Sequence, residues 1–235
     1  MRAFVSFSVL ALIVVGLALS LSHIPFGTDR MQVGNYYLDH GVADTGASNI
    51  VTAVVLNYRA LDTLGEVTVL FIASLGLGVF LSWPKKKEGT QEEGKRELPE
   101  ASLIVRRGSQ FLFPLIILFG GYIFLHGHLT PGGGFQGGSV IASAFLLMFL
   151  GNNAYHLRHT PLTVTESLAG ITFVVVGLIG LGVGGYFLNN FLPKGSEFAL
   201  FSAGVIPILY AAIGLKVGAE LTGIVANMFE SGSER

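Results

Sequence analysis

"HLTPGGGFQGGSV", residues 128–140, sets five glycines and one proline between two strongly apolar runs. Such a stretch can cradle a phosphate, break a membrane helix or form a plain loop. A P-loop requires Lys followed by Ser or Thr at its end, and a dinucleotide fingerprint requires a strand before it. Neither is present. Two readings survive for Pro131, Gly132, Gly133, Gly134, Gly137 and Gly138: glycines that let helix backbones approach closely, or a discontinuous helix beside an ion path.

The flanks decide the setting. Of 235 residues, 51% are hydrophobic and 12% charged, against about 25% charged in ordinary soluble domains. The charges are clustered, leaving long uncharged runs that read as spanning helices. The sequence predicts an all-α polytopic membrane protein with spans at 3–22, 64–83, 109–129, 138–151, 165–188 and 199–228. The span at 138–151 is about 21 Å of helix against a hydrocarbon core of about 30 Å. The glycine stretch is therefore expected to make up part of the membrane depth, which irregular backbone can do only against protein or a wet cavity.

Residues 1–22, "MRAFVSFSVLALIVVGLALSLS", have an apolar core longer than the usual signal-peptide core of about 7 to 15 residues, which favours a retained anchor. A polar stretch, 23–47, follows. The segment 48–63 is too short in its apolar part to cross and is expected to be re-entrant or interfacial. The hydrophilic stretch 84–107 reads as a solvated linker between two membrane modules, 1–83 and 108–235. With this linker in the cytoplasm, Arg2, Lys85, Lys86, Lys87, Lys95, Arg96, Arg106, Arg107, Arg158 and Arg235 fall inside. Arg30, Arg59 and Lys194 fall outside, so the positive-inside rule puts both termini in the cytoplasm.

Ionisable residues inside spans are costly and mark function by default. Arg59, Asp62 and Glu66 are spaced to share one face of a continuous helix. Glu66, within the second span, is the first candidate for a carboxylate that exchanges a proton or cation. The alternative is a structural clamp held by Arg59. Lys216 and Glu220, four apart in the last span, either relay protons or form a structural pair with the lysine snorkelling to the surface. Gly214, Gly218 and Gly223 on that helix suggest close contact with a neighbour. His126 and His128 bracket Gly127 at the membrane edge. They do not share a helical face, so zinc ligation is not expected, whereas proton exchange or plain interfacial bonding is open. His156 and His159 read as solvated. Thr163 and Glu166 have capping-box spacing and are expected to start the fifth span.

The chain has no cysteine and formal net charge −1, which excludes disulfides, thiolate metal sites and iron–sulfur ligation in its usual form. No cofactor fingerprint, metal-ligand cluster, nucleophile with a base, or nucleic-acid signature is evident. The chain is expected to be a non-catalytic transport subunit with no cofactor, no metal and no nucleic-acid partner.

With these residues in view, the chain resembles two pieces of the Mrp-type multisubunit cation/proton antiporters joined end to end. Residues 105–228, with "GHLTPGGGFQGGSVIASAFLL", are similar to the MnhB-like component, which carries a GHxxPGGGFxGG stretch between two spans. Residues 36–82, with "NIVTAVVLNYRALDTLGEVTVLFIASLG", resemble the C-terminal tail of the large antiporter component and its "DFRGFDTLGEI" pattern. The resemblance implies a membrane subunit that lines or scaffolds a Na+/H+ path among other Mrp-type subunits. Related modules serve membrane-bound hydrogenases and sulfur reductases akin to respiratory complex I, so redox subunits are further implied partners. It also implies that Glu66 belongs to the ion or proton path, with Arg59 and Asp62 matching the same pattern. Lys216 and Glu220 match no family motif. In the family, the tail and the MnhB-like part ordinarily belong to separate chains. A free-standing antiporter, the antiporter-like arm of a redox complex and a purely structural assembly component remain the competing readings.

Overall fold

A computed structural model describes residues 2–22, 32–82, 101–152, 155, 157 and 159–233. Most of the expected linker, the stretch 23–31, His156 and Arg158 lie outside the described residues. The described elements are all helical: α1 (Arg2–Ser22), α2 (Gln32–Thr45), α3 (Ile50–Ala53), α4 (Ala60–Ser82), α5 (Leu103–Leu125), α6 (Gly134–Gly151), α7 (His159–Gly184) and α8 (Ile206–Ser233). Six are long and apolar enough to cross a membrane: α1, α4, α5, α6, α7 and α8.

The chain divides into two compact units, Met1–Asn35 and Tyr36–Arg235. In the first, α1 is a 21-residue apolar helix without an acidic residue in its first turn or a basic one in its last. In the second, α8 is the central element. It packs against α4, α5, α6 and α7, and 61% of its most apolar window is buried, more than in any other span.

Several boundaries differ from the sequence expectation, each for a local reason. The segment 48–63 does not form one helix. Asn49 caps α3 by accepting from Val51 N–H, and the chain then widens into a π-helical turn, Val54–Tyr58. Arg59, at φ −126° and ψ 35°, breaks the helix before α4 begins, so Arg59, Asp62 and Glu66 do not lie on one continuous helix. In the expected polar stretch, α2 is helical. Ser102 caps α5 by accepting from Val105 N–H at 3.3 Å, which starts that span at Leu103 and brings Arg106 and Arg107 into its first turns. The fifth span starts at His159 rather than 165, with Pro161 in the first turn, where a missing N–H costs nothing. Thr163 and Glu166 therefore lie inside α7 and do not cap it.

Residues 199–205 are not helical. Positive φ at Phe198, Ala203 and Gly204 turns the chain repeatedly before α8. Asn190 holds this loop in place: its Oδ1 accepts from Val205 N–H at 2.9 Å, and its Nδ2 donates to Ala203 O at 3.2 Å and Thr45 O at 3.3 Å.

The glycine stretch is half loop and half helix, because α6 begins at Gly134, four residues before the expected start. Its 18 residues make about 27 Å of helix, close to a hydrocarbon core of about 30 Å. The early start is allowed by side chains that are missing. A Cβ on Gly134 would lie 2.5 Å from Ile213 Cγ2, and one on Gly138 would lie 2.8 Å from Gly214 O, both on α8. On the opposite side, Gly137 and Gly120 appose backbone to backbone, a Cβ on Gly137 reaching 2.6 Å from Gly120 O. Gly133, at φ +151°, makes the turn into α6.

Replacing Gly138 by Ala should force α6 from α8 and cost about 1–3 kcal/mol, the usual range for overpacking. Thermal denaturation of the purified complex checks this. Gly182→Ala, whose Cβ meets nothing within 4 Å among the described residues, should leave the midpoint within error.

Candidate functional site

Two polar regions lie at opposite ends of α4, and a third joins the short helix to the glycine loop. The third is the most enclosed. Asn49 donates from Nδ2 to Gly127 O at 2.9 Å and to Thr130 O at 3.1 Å, and its N–H donates to His128 O at 3.1 Å. Thr52 Oγ1 donates to Gly127 O at 2.8 Å and lies 2.6 Å from the Tyr210 hydroxyl of α8. Gly127 and Gly133 have no side chain because Tyr210 fills that space: a Cβ on Gly127 would lie 2.9 Å from Tyr210 Cε2. The short helix thus joins the glycine loop through polar bonds, of which those of Thr52 are buried. Asn49, Thr52 and Tyr210 carry no local signal: the partners of Thr52 are 75 and 158 residues away.

His126 and His128 belong to this loop but do different things. His126 stacks on Tyr122 at 4.2 Å and lies 3.2 Å from Tyr122 O. His128 is fully enclosed. Burial lowers its pKa from the ordinary 6.5, partly offset by the backbone at Ala199 and Leu200. Pro131 and Gly132 sit at the surface side of the loop, and a Cβ on Gly132 would lie 2.8 Å from Ile123 O.

At the start of α4, Arg59 pairs with Asp62, Nη2 to Oδ2 at 2.5 Å and Nε to Oδ2 at 2.6 Å. Both side chains are more than half exposed, 63% and 53%, so the pair itself contributes little stability. It borders an open cleft of about 760 Å³ that also takes in Asp44, Tyr58, Asn190 and Lys194. Tyr58 donates to Asp44 Oδ2 at 2.6 Å, and burial together with this carboxylate pushes its phenol pKa up. Glu66 does not join Arg59. It lies one turn further along α4, exposed on the face away from the core, and makes no ion pair among the described residues.

Beside the middle and second half of α4 the structure gathers Lys216, Glu220 and Glu166. Lys216 Nζ lies 2.6 Å from Glu220 Oε1 and 3.7 Å from Glu166 Oε1, and 4.8 Å from the centre of the Phe71 ring of α4. The Lys216 side chain is 11% exposed and that of Glu220 0%. Lys216 does not point to open solvent; three helices hold it in place. Glu166, expected from its spacing to be a cap, instead has its partner 50 positions away on another helix, which no local spacing could reveal. Among the described residues no group of three or more metal-ligating side chains occurs.

The arrangement is that of an all-helical, multi-pass membrane subunit with ionisable groups in its spans. The chain belongs to the family of domains related to the MnhB subunit of Na+/H+ antiporters, whose model matches residues 104–223. Residues 2–87 match the MbhE model, which describes a subunit of MBH. A chain in the structure of the membrane-bound sulfane sulfur reductase, an archaeal respiratory membrane complex, is 52% identical with TM-score 0.76, over 97% of this chain and 99% of that one. A chain of the Mrp complex from Dietzia sp. DQ12-45-1b is 26% identical with TM-score 0.73, over 97% of this chain but 26% of that one. An uncharacterized protein of Methanocaldococcus jannaschii is 35% identical over 88% of each chain. This chain is thus an MnhB- and MbhE-like membrane subunit of Mrp-type antiporter modules.

Two outcomes follow from the loop. Tyr210→Phe removes the hydroxyl that meets Thr52 and should cost about 1 kcal/mol, read as a lower midpoint in thermal denaturation of the complex. Because folding lowers the His128 pKa, the unfolded chain takes up a proton that the folded histidine refuses. Stability should fall as pH drops below 6.5, and His128→Gln should flatten that limb in denaturation measured across pH.

Proposed function

We propose that this chain lines and scaffolds the cation path of an Mrp-type module, with Glu66 as an exchanging carboxylate. One observation carries the reading. Glu66 lies six residues into a 22-residue span, on a face that the described residues of the second unit leave uncovered. A carboxylate facing acyl chains is expensive, and such residues face a partner helix or a water-filled path. The uncovered face is therefore where another component of the module joins, and Na+ and H+ are the ions exchanged beside it. Arg59 and Asp62, at the mouth of the adjoining cleft, keep the entrance polar.

The chain itself does no bond chemistry. Oxidation or reduction, where it drives transport, belongs to hydrogenase-like or sulfur-reductase-like partners, and the 52% identity to a chain of a sulfur reductase complex supports a redox-driven assembly over a free-standing antiporter. Lipid covers the remaining apolar faces, and no nucleic acid is involved. Both termini and the 84–107 linker lie in the cytoplasm. That reading is supported by the basic residues and by the contacts that bring α3, the glycine loop and the 185–205 loop together. The purely structural reading draws on the glycine interlock and the Thr52–Tyr210 contact, which hold helices together whatever the ions do.

Glu66→Gln in the assembled complex separates the two. Sodium-dependent proton flux in membrane vesicles should drop by about tenfold or more, the scale of losing a positioned proton carrier, with subunit composition unchanged. Full flux from an intact complex would leave only the scaffold.

A further inference from the structure

We propose that Glu220, Glu166 and Lys216 form a proton-exchange site, separate from Glu66 and reached from the end of the bundle where α4 finishes. The proposal goes beyond the assignment of Glu66 and rests only on the chain being part of a cation/proton module.

Charge bookkeeping comes first. Two carboxylates share one ammonium, at 2.6 Å and 3.7 Å, which leaves one negative charge without a countercharge among the described residues. The charged or titratable groups facing Glu220 are Lys216 on its own helix and Glu166 and His159 from α7, with His159 lining the cleft near the start of that helix. From α4, Ser74 and Gly78 line the same cleft as Glu220 and Phe71 faces Lys216, and from α6 Ile141 lies against the neighbouring turn of α8 at Gly218. None of these α4 and α6 groups carries charge. A net negative charge among spanning helices is costly, and one proton cancels it.

The geometry provides a place for that proton. Glu220 Oε2 is buried and has no hydrogen-bond partner among the described residues, while Oε1 meets Lys216. An unmade bond on a buried carboxylate oxygen is what a proton, or a water bringing one, would satisfy. The chain also provides access. A cleft of about 320 Å³ is lined by Ser74, Thr163, Glu166, Glu220, Gly223 and Asn227, with room for several waters. All of these residues lie in the second half of α4, the first half of α7 or the second half of α8. The cleft therefore opens at the end away from the glycine loop, whereas Glu66 lies towards the start of α4.

The step involves proton movement alone. A hydronium ion in the cleft gives its proton to Glu220 Oε2 and becomes water, which weakens the hold of that carboxyl group on the Lys216 ammonium. The ammonium moves towards Glu166, and return of the proton to a cleft water brings it back. Phe71 keeps the ammonium from leaving, because its ring face attracts the cation wherever it sits between the two carboxylates. Lys216 is a positioning residue, and the two glutamates carry the proton.

The test uses dicyclohexylcarbodiimide, which modifies protonated carboxyl groups in apolar surroundings, on the purified complex, with modified residues identified by peptide mass spectrometry. Glu220 or Glu166 should be modified, less so as pH rises and without protection by Na+. The absence of modification at both from mildly acidic to mildly alkaline pH would overturn the proposal, as would protection by Na+ without pH dependence. Glu220→Gln provides a second readout, since glutamine can still accept a bond from Lys216 but carries no proton. Proton flux should fall by about tenfold or more while carbodiimide reactivity at Glu66 is unchanged, and full flux from an assembled variant would overturn the assignment. Should Glu220→Gln fail to assemble, Glu166→Gln and the labelling of the unmodified complex still decide. Labelling at Glu66 is scored separately, so either glutamate assignment can fail without the other.

Discussion

The direct approach of α6 to α8 is the contact on which the rest of the structure depends. At Gly134 and Gly138 no side chain stands in the way of close helix packing, and a Cβ at either would meet α8 atoms closer than 3 Å, while Gly214 of α8 makes the same room for Phe124 of α5. In a membrane, where association between helices gains little from the hydrophobic effect, such backbone proximity supplies the packing. It fixes α8 at the centre of the second unit. The main polar clusters then take their places from α8: Tyr210 receives Thr52 at one end, and Lys216 and Glu220 meet Glu166 towards the other.

The same constraint explains the division of labour along α4. Among the described residues of its own unit this helix is almost wholly exposed, only 6% of its most apolar window being buried, and it touches α8 through a narrow strip that includes Val67 and Phe71. Arg59 just before it and Asp62 in its first turn line one polar cleft, Glu66 lies a turn further on, and its second half lines another cleft beside Glu220. A helix bare on most of its surface, with a carboxylate on that bare side, belongs to a larger assembly. The likeness to chains of two multisubunit complexes agrees with that physical argument.

Much of this is legible in the sequence, and the failures have physical causes. Hydropathy alone places six spans, because bilayer thickness is a strong constraint on uncharged runs. The glycines at 132–138 announce close backbone contact, but not which helix they meet, so the early start of α6 at Gly134 does not show in the sequence. The i, i+4 spacing of Lys216 and Glu220 declares their pairing. Glu166 misleads because Thr163 and Glu166 satisfy a local capping pattern, whereas its partner lies on a different helix. Asn49, Thr52 and Asn190 are invisible for the same reason. The break at Arg59 is also hidden, since a π-helical turn leaves no signature in hydrophobic periodicity.

The central claim is that the bare face of α4 is a buried, ion-bearing interface in the assembled module. Electron cryomicroscopy of the purified complex, resolved well enough to show side chains and ordered water, tests it most directly at Glu66. The account predicts a polar or ionisable side chain from a partner protein, or a file of water, against that carboxylate. Acyl chains of lipid packed against Glu66 would contradict it.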